Sequence, residues 1–405
     1  MRTIGFVMCD YLHGGTERVT DMISAALLRR GVCKIVLLAF RFTDQTRARA
    51  TAIGYDVVEL GNGDECEYHG EETTRIVADA VRRKSIDTLV MAIEPVPCVP
   101  LLRSLIPSGV RLILHLHSQP LWEVKSKLEF GRYLAKKSGS GVKLAKWYAL
   151  KTFKENWLGR YSRRYKRVYR RVYSEVDGIV VLCDSYRRIM SGILHYDGDG
   201  DDFKVMPVYN PIDLGVYAEE RCVPKEKEVL YVGRFSYVDK RVDRLVRIWK
   251  RVEDLHPEWV LKLVGIGPEE DSLRDLADEL GLKNVRFCGY SADPREHYAT
   301  ASIFCLTSAF EGWGMVLVEA MASGVVPMAF DCSAGVHELL EDGRGVLVKP
   351  FDEEEYALRL AELMDNEDMR HGHTALYPDF VKRFDVGKVA DEWIRIFGLS
   401  DAKGQ

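Results

Sequence analysis

Short runs of apolar residues alternate with longer amphipathic stretches along the whole chain. In the first half, apolar runs of strand length occur at residues 3–8, 35–39, 88–92, 112–115 and 178–182. Between the first two runs, Val19, Ile23 and Leu27 recur at helical spacing. Continuous apolar strands that alternate with helices are typical of a parallel sheet covered on both faces. The first half is therefore predicted to form a doubly wound α/β domain.

A second series of the same kind follows a break near residues 207–228. The break contains Pro207 and Pro211 and then a polar, charged stretch, a composition typical of a linker. Beyond it, strands are predicted at residues 229–232, 260–264, 285–288, 303–306 and 325–329, and an amphipathic helix at about 386–397 closes the chain. The two halves thus look like two Rossmann-like domains.

Composition narrows the class of protein. The 405 residues are 47% hydrophobic and 29% charged, which is ordinary for a globular chain with real cores. No run of 18 apolar residues and no signal-peptide pattern is seen, so neither a transmembrane helix nor a leader is expected. The nine cysteines are scattered without a CxxC pair, which indicates buried thiols in a reducing compartment and no zinc site.

The most informative stretch spans residues 308–322, where two carboxylates stand eight residues apart. Glu311 falls in a loop with Gly312 and Gly314, and Glu319 falls in the apolar helix that follows. A helix that begins after such a loop offers free backbone N–H groups and a positive dipole end, which suit phosphate or sugar oxygens. Glu319 is a candidate for binding ribose hydroxyls and Glu311 for sugar hydroxyls. The alternative is a salt-bridged helix acid and a solvated loop acid.

This stretch resembles the E-x7-E signature of the retaining "group 1", GT4-type glycosyltransferases of the GT-B fold, which include bacterial enzymes of capsule, exopolysaccharide and lipopolysaccharide synthesis. Further stretches resemble other motifs of that family, in the family's order, at residues 208–211, 231–243, 264–268, 285–290 and 301–308. Together the motifs cover about residues 205–350.

The resemblance implies an architecture. In the GT-B fold two Rossmann-like domains face a central cleft, and the last helix crosses back onto the first domain. The expected acceptor domain is therefore residues 1–208 together with the closing helix at about 386–400. The expected nucleotide-sugar donor domain is residues 209–385.

The resemblance also implies roles for individual residues. Arg234 and Lys240, the latter rather than Arg241, would stabilise the negative charge of a nucleoside diphosphate leaving group without a metal. Together with Glu311 and His117 they form the expected catalytic set, with His115 as the second choice for the histidine. Donor binding is expected of Gly14, Gly15, Gly233, Gly265, Tyr290, Gly312, Trp313, Gly314, Met315, Val316 and Glu319. For the histidines, a buried strand-end role is the alternative, and for the Gly14-Gly15 pair a simple tight turn.

Charge is distributed unevenly along the chain. Residues 125–171 contain 16 lysines and arginines but only two acids, whereas the remaining chain carries 41 basic and 59 acidic residues. Trp157, Tyr161, Tyr165 and Tyr169 follow one another at four-residue spacing within this segment. An aromatic row beside cations suits an anionic membrane surface. The alternatives are a row that packs on the first sheet and, less well supported, RNA binding.

Two other motifs suggest chemistry that the chain does not otherwise support. Residues 197–202 (DGDGDD) resemble a metal-binding D-x-D or the start of an EF-hand, but the loop lacks the glycine and glutamate that an EF-hand requires, and a solvated loop is expected. The glycines of residues 265–267 lack the third glycine of a dinucleotide fingerprint. Neither a metal nor another cofactor is expected, and nucleic acid is not an expected partner.

The residues and the resemblance together predict a retaining, metal-independent hexosyltransferase. It would move a sugar from a UDP-sugar to a hydroxyl of a glycan acceptor that is linked to a polyprenyl diphosphate. It would act in cell-surface polysaccharide synthesis, in the cytoplasm and peripherally on the inner face of the cytoplasmic membrane. The alternative is a nucleotide-sugar-binding protein at the membrane surface that has lost turnover.

Overall fold

The computed structural model describes residues 1–12, 14–61, 70–92, 98–150, 155, 157–196, 202–217 and 223–400. Its strands are β1 (Arg2–Tyr11), β2 (Cys33–Phe42), β3 (Asp56–Glu59), β4 (Thr88–Met91), β5 (Arg111–His115), β6 (Gly178–Val181), β7 (Val205–Pro207), β8 (Glu228–Val232), β9 (Val260–Val264), β10 (Val285–Gly289), β11 (Ile303–Leu306), β12 (Val326–Phe330) and β13 (Val346–Val348).

Helices connect these strands. They are α1 (Gly15–Arg29), α2 (Asp44–Ile53), α3 (Glu71–Arg83), α4 (Val99–Leu105), α5 (Trp122–Lys137), α6 (Gly141–Leu150), α7 (Arg160–Glu175), α8 (Asp184–Leu194), α9 (Val242–Val252), α10 (Glu270–Glu279), α11 (Arg295–Thr300), α12 (Met315–Ala322), α13 (Ala334–Leu340), α14 (Glu353–Asp365), α15 (Glu367–Thr374), α16 (Tyr377–Phe380) and α17 (Val386–Phe397).

The strands form two parallel sheets of the same topology. The first has the order β3-β2-β1-β4-β5-β6-β7, and the second has the order β10-β9-β8-β11-β12-β13. In each sheet the chain winds outward from the first strand in one direction and then in the other, so both are doubly wound Rossmann-like sheets. All ten predicted strands are present. Three short strands were not predicted, β3, β7 and β13, which are only three or four residues long.

The chain divides into two compact units, one around each sheet. The first comprises Met1–Pro120, Ser162–Ile212 and the chain from Phe384, and the second comprises Leu121–Tyr161 and Asp213–Arg383. The division at 212/213 lies close to the predicted boundary at 208/209. The basic segment is divided, however. Residues 121–161 pack with the second unit rather than with the first, where the sequence placed the whole segment.

The last helix packs on the first unit. Helix α17 has the predicted bounds, and its buried Trp393 contacts Phe6 of β1 with 6.4 Å between ring centroids. Arg2 donates a hydrogen bond to the carbonyl of Phe397 (2.6 Å), and Arg111 donates one to the carbonyl of Ile396 (2.8 Å). The C-terminal helix therefore returns to the domain in which the chain began.

The second unit has a core in which large aromatic residues lie beside branched aliphatic ones. Trp249 of α9 and Trp259, just before β9, are both buried, and they pack with Leu245, Leu261 and Ile303. Burial of such side chains is the main term that stabilises the sheet and its covering helices. Within the described residues, no helix is both long and apolar enough to cross a membrane.

Candidate active site

The predicted motifs of the second unit meet at one edge of its sheet. Strand β8 lies beside β11, so the loop after β8 and the loop after β11 leave the same carboxyl edge. The amide of Ala309 donates to the carbonyl of Asp239 (2.7 Å), and the Thr307 hydroxyl donates to the carbonyl of Arg241 (3.1 Å). Two loops about 70 residues apart in sequence are thereby held together. This edge is where ligands bind in open α/β sheets.

Lys240 and Glu311 form an ion pair between these loops. The Lys240 Nζ lies 2.7 Å from Oε1 and 2.9 Å from Oε2 of Glu311, whose side chain is only 8% exposed. The Ser308 hydroxyl donates a further hydrogen bond to Oε1 (2.5 Å). Burial by itself would lower the pKa of Lys240, but the Glu311 carboxylate more than offsets this and the pKa is raised above its ordinary value. Lys240 is therefore a fixed cation.

Arg234 presents its guanidinium to solvent at the same edge. Its side chain is 67% exposed, and Nη2 donates to Oδ2 of Asp239 (3.0 Å). Burial would raise the pKa of Asp239, but hydrogen bonding from Ser236 and the charges of Lys240 and Arg234 hold it below the ordinary value. Arg234 is thus anchored by an ionised carboxylate while most of its donors remain available to an anion.

Arg241, the alternative to Lys240, is used differently. Its side chain is 5% exposed, pairs with both carboxylate oxygens of Asp243, and stacks over the ring of Tyr237 at 4.4 Å. Arg241 is thus committed to holding the turn that precedes α9. The structure accordingly brings Lys240, and not Arg241, into contact with Glu311.

Glycines let the neighbouring turns approach closely. A Cβ on Gly265 (φ +142°) would lie 1.9 Å from the carbonyl oxygen of Gly233, and a Cβ on Gly267 would lie 2.2 Å from that of Phe235. Neither distance is possible for a real side chain. Gly265, predicted to bind the donor, is therefore also required for backbone packing under the Gly233–Arg234 loop. Tyr290, beyond β10, has a side chain that is 65% exposed.

The helix that carries Glu319 begins directly after the acidic loop. Gly314 is the N-cap of α12 with φ +91°, a left-handed conformation that favours glycine. Trp313 is buried, whereas Gly312, Met315 and Val316 are half-buried around the helix N-terminus. The first N–H groups of such a helix lack the carbonyl partner four residues earlier that interior amides have. They are suited to donate hydrogen bonds to phosphate oxygens.

Glu319 lies deeper in α12 than a first-turn position. It is 1% exposed, and the Tyr298 hydroxyl donates to its Oε2 at 3.3 Å. The same hydroxyl lies 3.5 Å from the carbonyl of Val316. Glu319 is thus a buried, hydrogen-bonded carboxylate.

In the first unit, the glycine pair opens α1 as predicted. Gly14 is the N-cap of α1, and both glycines are exposed. Glu17 accepts a hydrogen bond from the amide of Leu12 (3.4 Å), and Arg49 donates one to the Leu12 carbonyl (3.0 Å). Side chains from two helices thereby fix the entry to the loop. His13, which lies within it, is outside the described residues.

The two histidines at the end of β5 stack on each other. Their ring centroids are 4.0 Å apart, and His115 also contacts the ring of Trp393 at 5.0 Å. Burial lowers the pKa of His117 to about 3 and that of His115 well below its ordinary value. Among the described residues, neither His115 Nδ1 nor His117 Nε2 has a hydrogen-bond partner. Both rings are therefore neutral at physiological pH, and each has a nitrogen with unused hydrogen-bonding capacity.

The aromatic row of the basic segment does not form one exposed face. Helix α7 begins at Arg160, after Trp157, and Tyr169 is buried at 1% exposure while Tyr161 and Tyr165 are half-buried. The packing alternative therefore holds for Tyr169. The exposed apolar side chains lie instead on α5, on α6 and at residues 157–158.

Two residues of the site were not singled out from the sequence. Ser308, three residues before Glu311, bonds its carboxylate, and Asp239, next to Lys240, anchors Arg234. Their closeness to the motif residues is the signal that indicates them. Residues 197–201 of the acidic loop lie outside the described residues, and elsewhere in the described chain no group of three or more metal-ligating side chains occurs.

The part of the chain that carries this site matches a known protein family. Residues 218–373 match the family model described as glycosyl transferases group 1. This region belongs to the group 1 glycosyltransferases. The matched region contains Arg234, Lys240, Glu311 and Glu319, so the resemblance predicted from the motifs is confirmed.

Individual relatives are similar over part of their length. An uncharacterised glycosyltransferase of Haemophilus influenzae is 34% identical over 172 residues, which are 42% of this chain and 48% of that protein. An N-acetylgalactosamine-N,N'-diacetylbacillosaminyl-diphospho-undecaprenol 4-alpha-N-acetylgalactosaminyltransferase of Campylobacter jejuni is 30% identical over 193 residues, which are 46% of this chain and 52% of that protein. The match thus spans about half the length of these curated relatives.

The whole chain is similar in fold to solved glycosyltransferase structures. Anabaena Alr3699/HepE, crystallised with UDP and glucose, superposes with a TM-score of 0.72 over 98% of this chain and 100% of that one, at 18% identity. At this identity the likeness concerns the fold alone. The predicted GT-B class, with two Rossmann-like domains, is confirmed.

Proposed function

We propose that the protein is a glycosyltransferase that moves a hexosyl unit from a UDP-sugar to a sugar hydroxyl, with retention of anomeric configuration and without a metal. The observation that carries the proposal is the Lys240–Glu311 pair beside the exposed Arg234, at the edge where α12 begins. Two cations and a helix N-terminus suit a diphosphate, and a buried carboxylate next to them suits sugar hydroxyls.

The cations would act on the leaving group. As the bond between the anomeric carbon and the phosphate oxygen breaks, negative charge grows on the diphosphate. Arg234 and Lys240 are already held by Asp239 and Glu311, so they can stabilise that charge with little reorganisation. The acceptor oxygen would bond to the anomeric carbon on the face that the phosphate leaves, and its proton would pass to the departing phosphate. This balance needs no enzyme nucleophile.

The carboxylates and the histidine would orient the substrates. Glu311, fixed by Lys240 and Ser308, would accept hydrogen bonds from hydroxyls of the transferred sugar. Glu319 would accept from the ribose of the nucleotide. His117, neutral and with Nε2 unpartnered among the described residues, would hydrogen-bond a substrate hydroxyl at the reacting face rather than donate a proton as an acid.

The acceptor is proposed to be a glycan on a polyprenyl diphosphate, at the inner face of the cytoplasmic membrane. One support is the name of the Campylobacter relative, which describes a sugar acceptor on undecaprenyl diphosphate. The other is the surface formed by the described residues between 125 and 158. Six of the fifteen large apolar side chains that are exposed in the described chain lie between residues 130 and 158. Cations beside exposed apolar side chains favour an anionic bilayer.

Product analysis tests the proposal directly. The protein, in EDTA, is incubated with UDP-hexoses and a short-chain polyprenyl diphosphate disaccharide, and the product is analysed by mass and by the anomeric coupling in NMR. The expected result is release of UDP that depends on the acceptor, together with a new glycosidic bond of the same anomeric configuration as in the donor. Inversion would refute the mechanism, and binding of UDP-sugar without turnover under all conditions would favour the degraded binding protein.

A further inference from the structure

The two-helix insert α5–α6 packs on the donor-binding unit. The Tyr133 ring lies 5.5 Å from that of Tyr237, and the Lys136 Nζ donates to the Tyr237 hydroxyl (3.1 Å). At the other end of α5, the Trp122 ring lies 6.2 Å from that of Phe310, the residue before Glu311. The first turn of α5 therefore lies against the acidic loop of the proposed donor site.

That first turn carries a cation, Lys125. Its Nζ donates to the backbone carbonyl of Cys332 (3.0 Å), in the loop after β12. A lysine ammonium has three N–H donors, and among the described residues no carboxylate pairs with this one. Lys240 and Arg234 are each paired with an acid, whereas Lys125 has no carboxylate partner in the described part of the chain.

The same charges surround the thiol of Cys332. Burial raises the pKa of Cys332 to about 12, the Glu311 carboxylate raises it too, and the charges of Lys125 and Lys240 lower it. The two lysines and Glu311 thus lie within electrostatic range of one side chain. Lys125 therefore lies near Glu311 in space, although it precedes Arg234 by more than 100 residues in the sequence.

The order of the strands separates Lys125 from the proposed diphosphate site. The adjacent strands β8, β11 and β12 end in the loops of Arg234 and Lys240, of Glu311, and of Cys332, respectively. The backbone loop that carries the two proposed diphosphate cations therefore lies on one side of the Glu311 loop, and the Cys332 loop that Lys125 contacts lies on the other. Since Glu311 is assigned to the transferred sugar, the group that reaches Lys125 belongs to that sugar rather than to the phosphates.

We propose that Lys125 is a specificity-determining residue that pairs with a carboxylate on the transferred sugar, so that the preferred donor is a UDP-hexuronic acid. This inference rests on the proposed function. A neutral hexose would leave the ammonium without a counter-charge, whereas a carboxylate at C6 would supply a charge-assisted hydrogen bond. One such bond raises the affinity for the ligand by about ten- to hundredfold.

The test compares matched donors that differ only at C6. For the full chain, kcat/KM is measured with UDP-glucuronic acid and with UDP-glucose, and the ratio of the two values is taken. The same ratio is measured for UDP-galacturonic acid and UDP-galactose. At least one pair is expected to favour the uronic acid by about tenfold or more. Lys125→Met should bring that ratio to about one or below, Lys125→Arg should retain it, and Lys250→Met, on the far helix α9, should leave it unchanged.

Several results would overturn the inference. A wild-type preference for the neutral sugars would do so, as would an equal loss for both donors in Lys125→Met, since that would place the lysine on the diphosphate or in the fold. Stabilisation by UDP, measured on each variant, shows whether the nucleotide site of that variant is intact. If Lys125→Met does not fold, the inference is judged on Lys125→Arg, which must keep the wild-type kcat/KM ratio of uronic acid to neutral donor. Failure of the proposed function is distinct, because neither UDP binding nor turnover of any donor would then be seen.

Discussion

At the scale of single residues, the proposed site depends on one contact between distant positions. Lys240 and Glu311 are 71 residues apart, yet the lysine ammonium lies within hydrogen-bond distance of both carboxylate oxygens. Each group holds the other in place, and Ser308 adds a second bond to the carboxylate. The pair is therefore pre-organised before a substrate arrives, which is how fixed charges stabilise a developing charge most effectively.

We expect Glu311→Ala and Lys240→Ala each to reduce transfer by about a hundredfold or more while the fold survives. Lys240→Ala removes a cation that stabilises the leaving diphosphate. Glu311→Ala removes the carboxylate that accepts hydrogen bonds from hydroxyls of the transferred sugar. Steady-state kinetics and circular dichroism are the measurements. Lys250→Met, which breaks only an exposed pair with Asp254, is the matched control. Rates near wild type in either alanine variant would refute the assignment.

Gly265 offers a residue-scale test of the loop geometry. Gly265→Ala places a Cβ against the Gly233 carbonyl at 1.9 Å, in a left-handed region of φ, so the Arg234 loop must shift. We expect a loss of about 2 kcal/mol or more in unfolding free energy, together with weaker UDP binding. Gly281→Ala is the control, since it has a positive φ as well but no atom within 4 Å. Its cost should be nearer 1 kcal/mol, from the backbone conformation alone. If urea denaturation gave the same loss of unfolding free energy for both variants, the close approach of Gly265 to the Gly233 carbonyl would be unimportant for stability.

At the scale of elements, the basic segment separates into parts with different surroundings. Helix α7 buries Tyr169 and Val172, whereas α5 and α6 expose Phe130, Leu134 and Tyr148 together with several lysines. The pattern of residues 121–150 is that of an interfacial element, with apolar side chains outside and few acids. The lipid-facing surface is therefore proposed to be on the α5–α6 insert rather than on the tyrosine row.

Replacement of two of these side chains tests that surface. Phe130→Ser with Leu134→Ser should weaken binding to vesicles that contain anionic phospholipid by about tenfold or more, because about 1–2 kcal/mol of apolar burial is lost for each side chain. Co-sedimentation at two salt concentrations measures it. Leu358→Ser, on α14 and 59% exposed, is the control and should have no effect. Unchanged binding of the double variant would exclude this face as the lipid contact.

The sequence predicted elements better than it predicted which elements pack together. All ten proposed strands and the bounds of α17 are correct, since continuous apolar runs and a clear amphipathic period leave little ambiguity. The donor-side motifs meet at one edge in the structure because parallel strands end together. The packing of residues 121–161 on the second unit was not predictable. It depends on pairs such as Trp122 with Phe310, almost 190 residues apart, for which no local pattern exists.

At the scale of the whole molecule, two buried imidazoles couple stability to pH. His115 and His117 are held neutral by burial, with a pKa of about 3 for His117, whereas in the unfolded chain both would titrate near 6.5. Between these values the unfolded chain binds protons that the folded protein does not. The contribution of the two neutral histidines to folding stability is therefore fully present above about pH 6.5, and it is lost as the pH decreases towards 3.

The pH effect can be measured by urea denaturation at pH 7.5 and 5.5. The wild-type free energy of unfolding should fall by about 1 kcal/mol per histidine for each pH unit below 6.5, and His115→Asn with His117→Asn should reduce that fall. His371→Asn is the control, because its imidazole is largely exposed. The same acid sensitivity in the double variant would mean that other groups are responsible.

Ligand-induced stabilisation is the sharpest test of a metal-free nucleotide-diphosphate site at Arg234 and Lys240. The thermal midpoint is measured in EDTA with UDP, GDP, ADP and their sugars, for the wild type and for Lys240→Met. At a hundred times its dissociation constant, a ligand adds about 2.7 kcal/mol. We expect a clear rise in the thermal midpoint with UDP and with at least one UDP-sugar, and we expect Lys240→Met largely to abolish it. No rise with any nucleotide, or an equal rise in the variant, would contradict it.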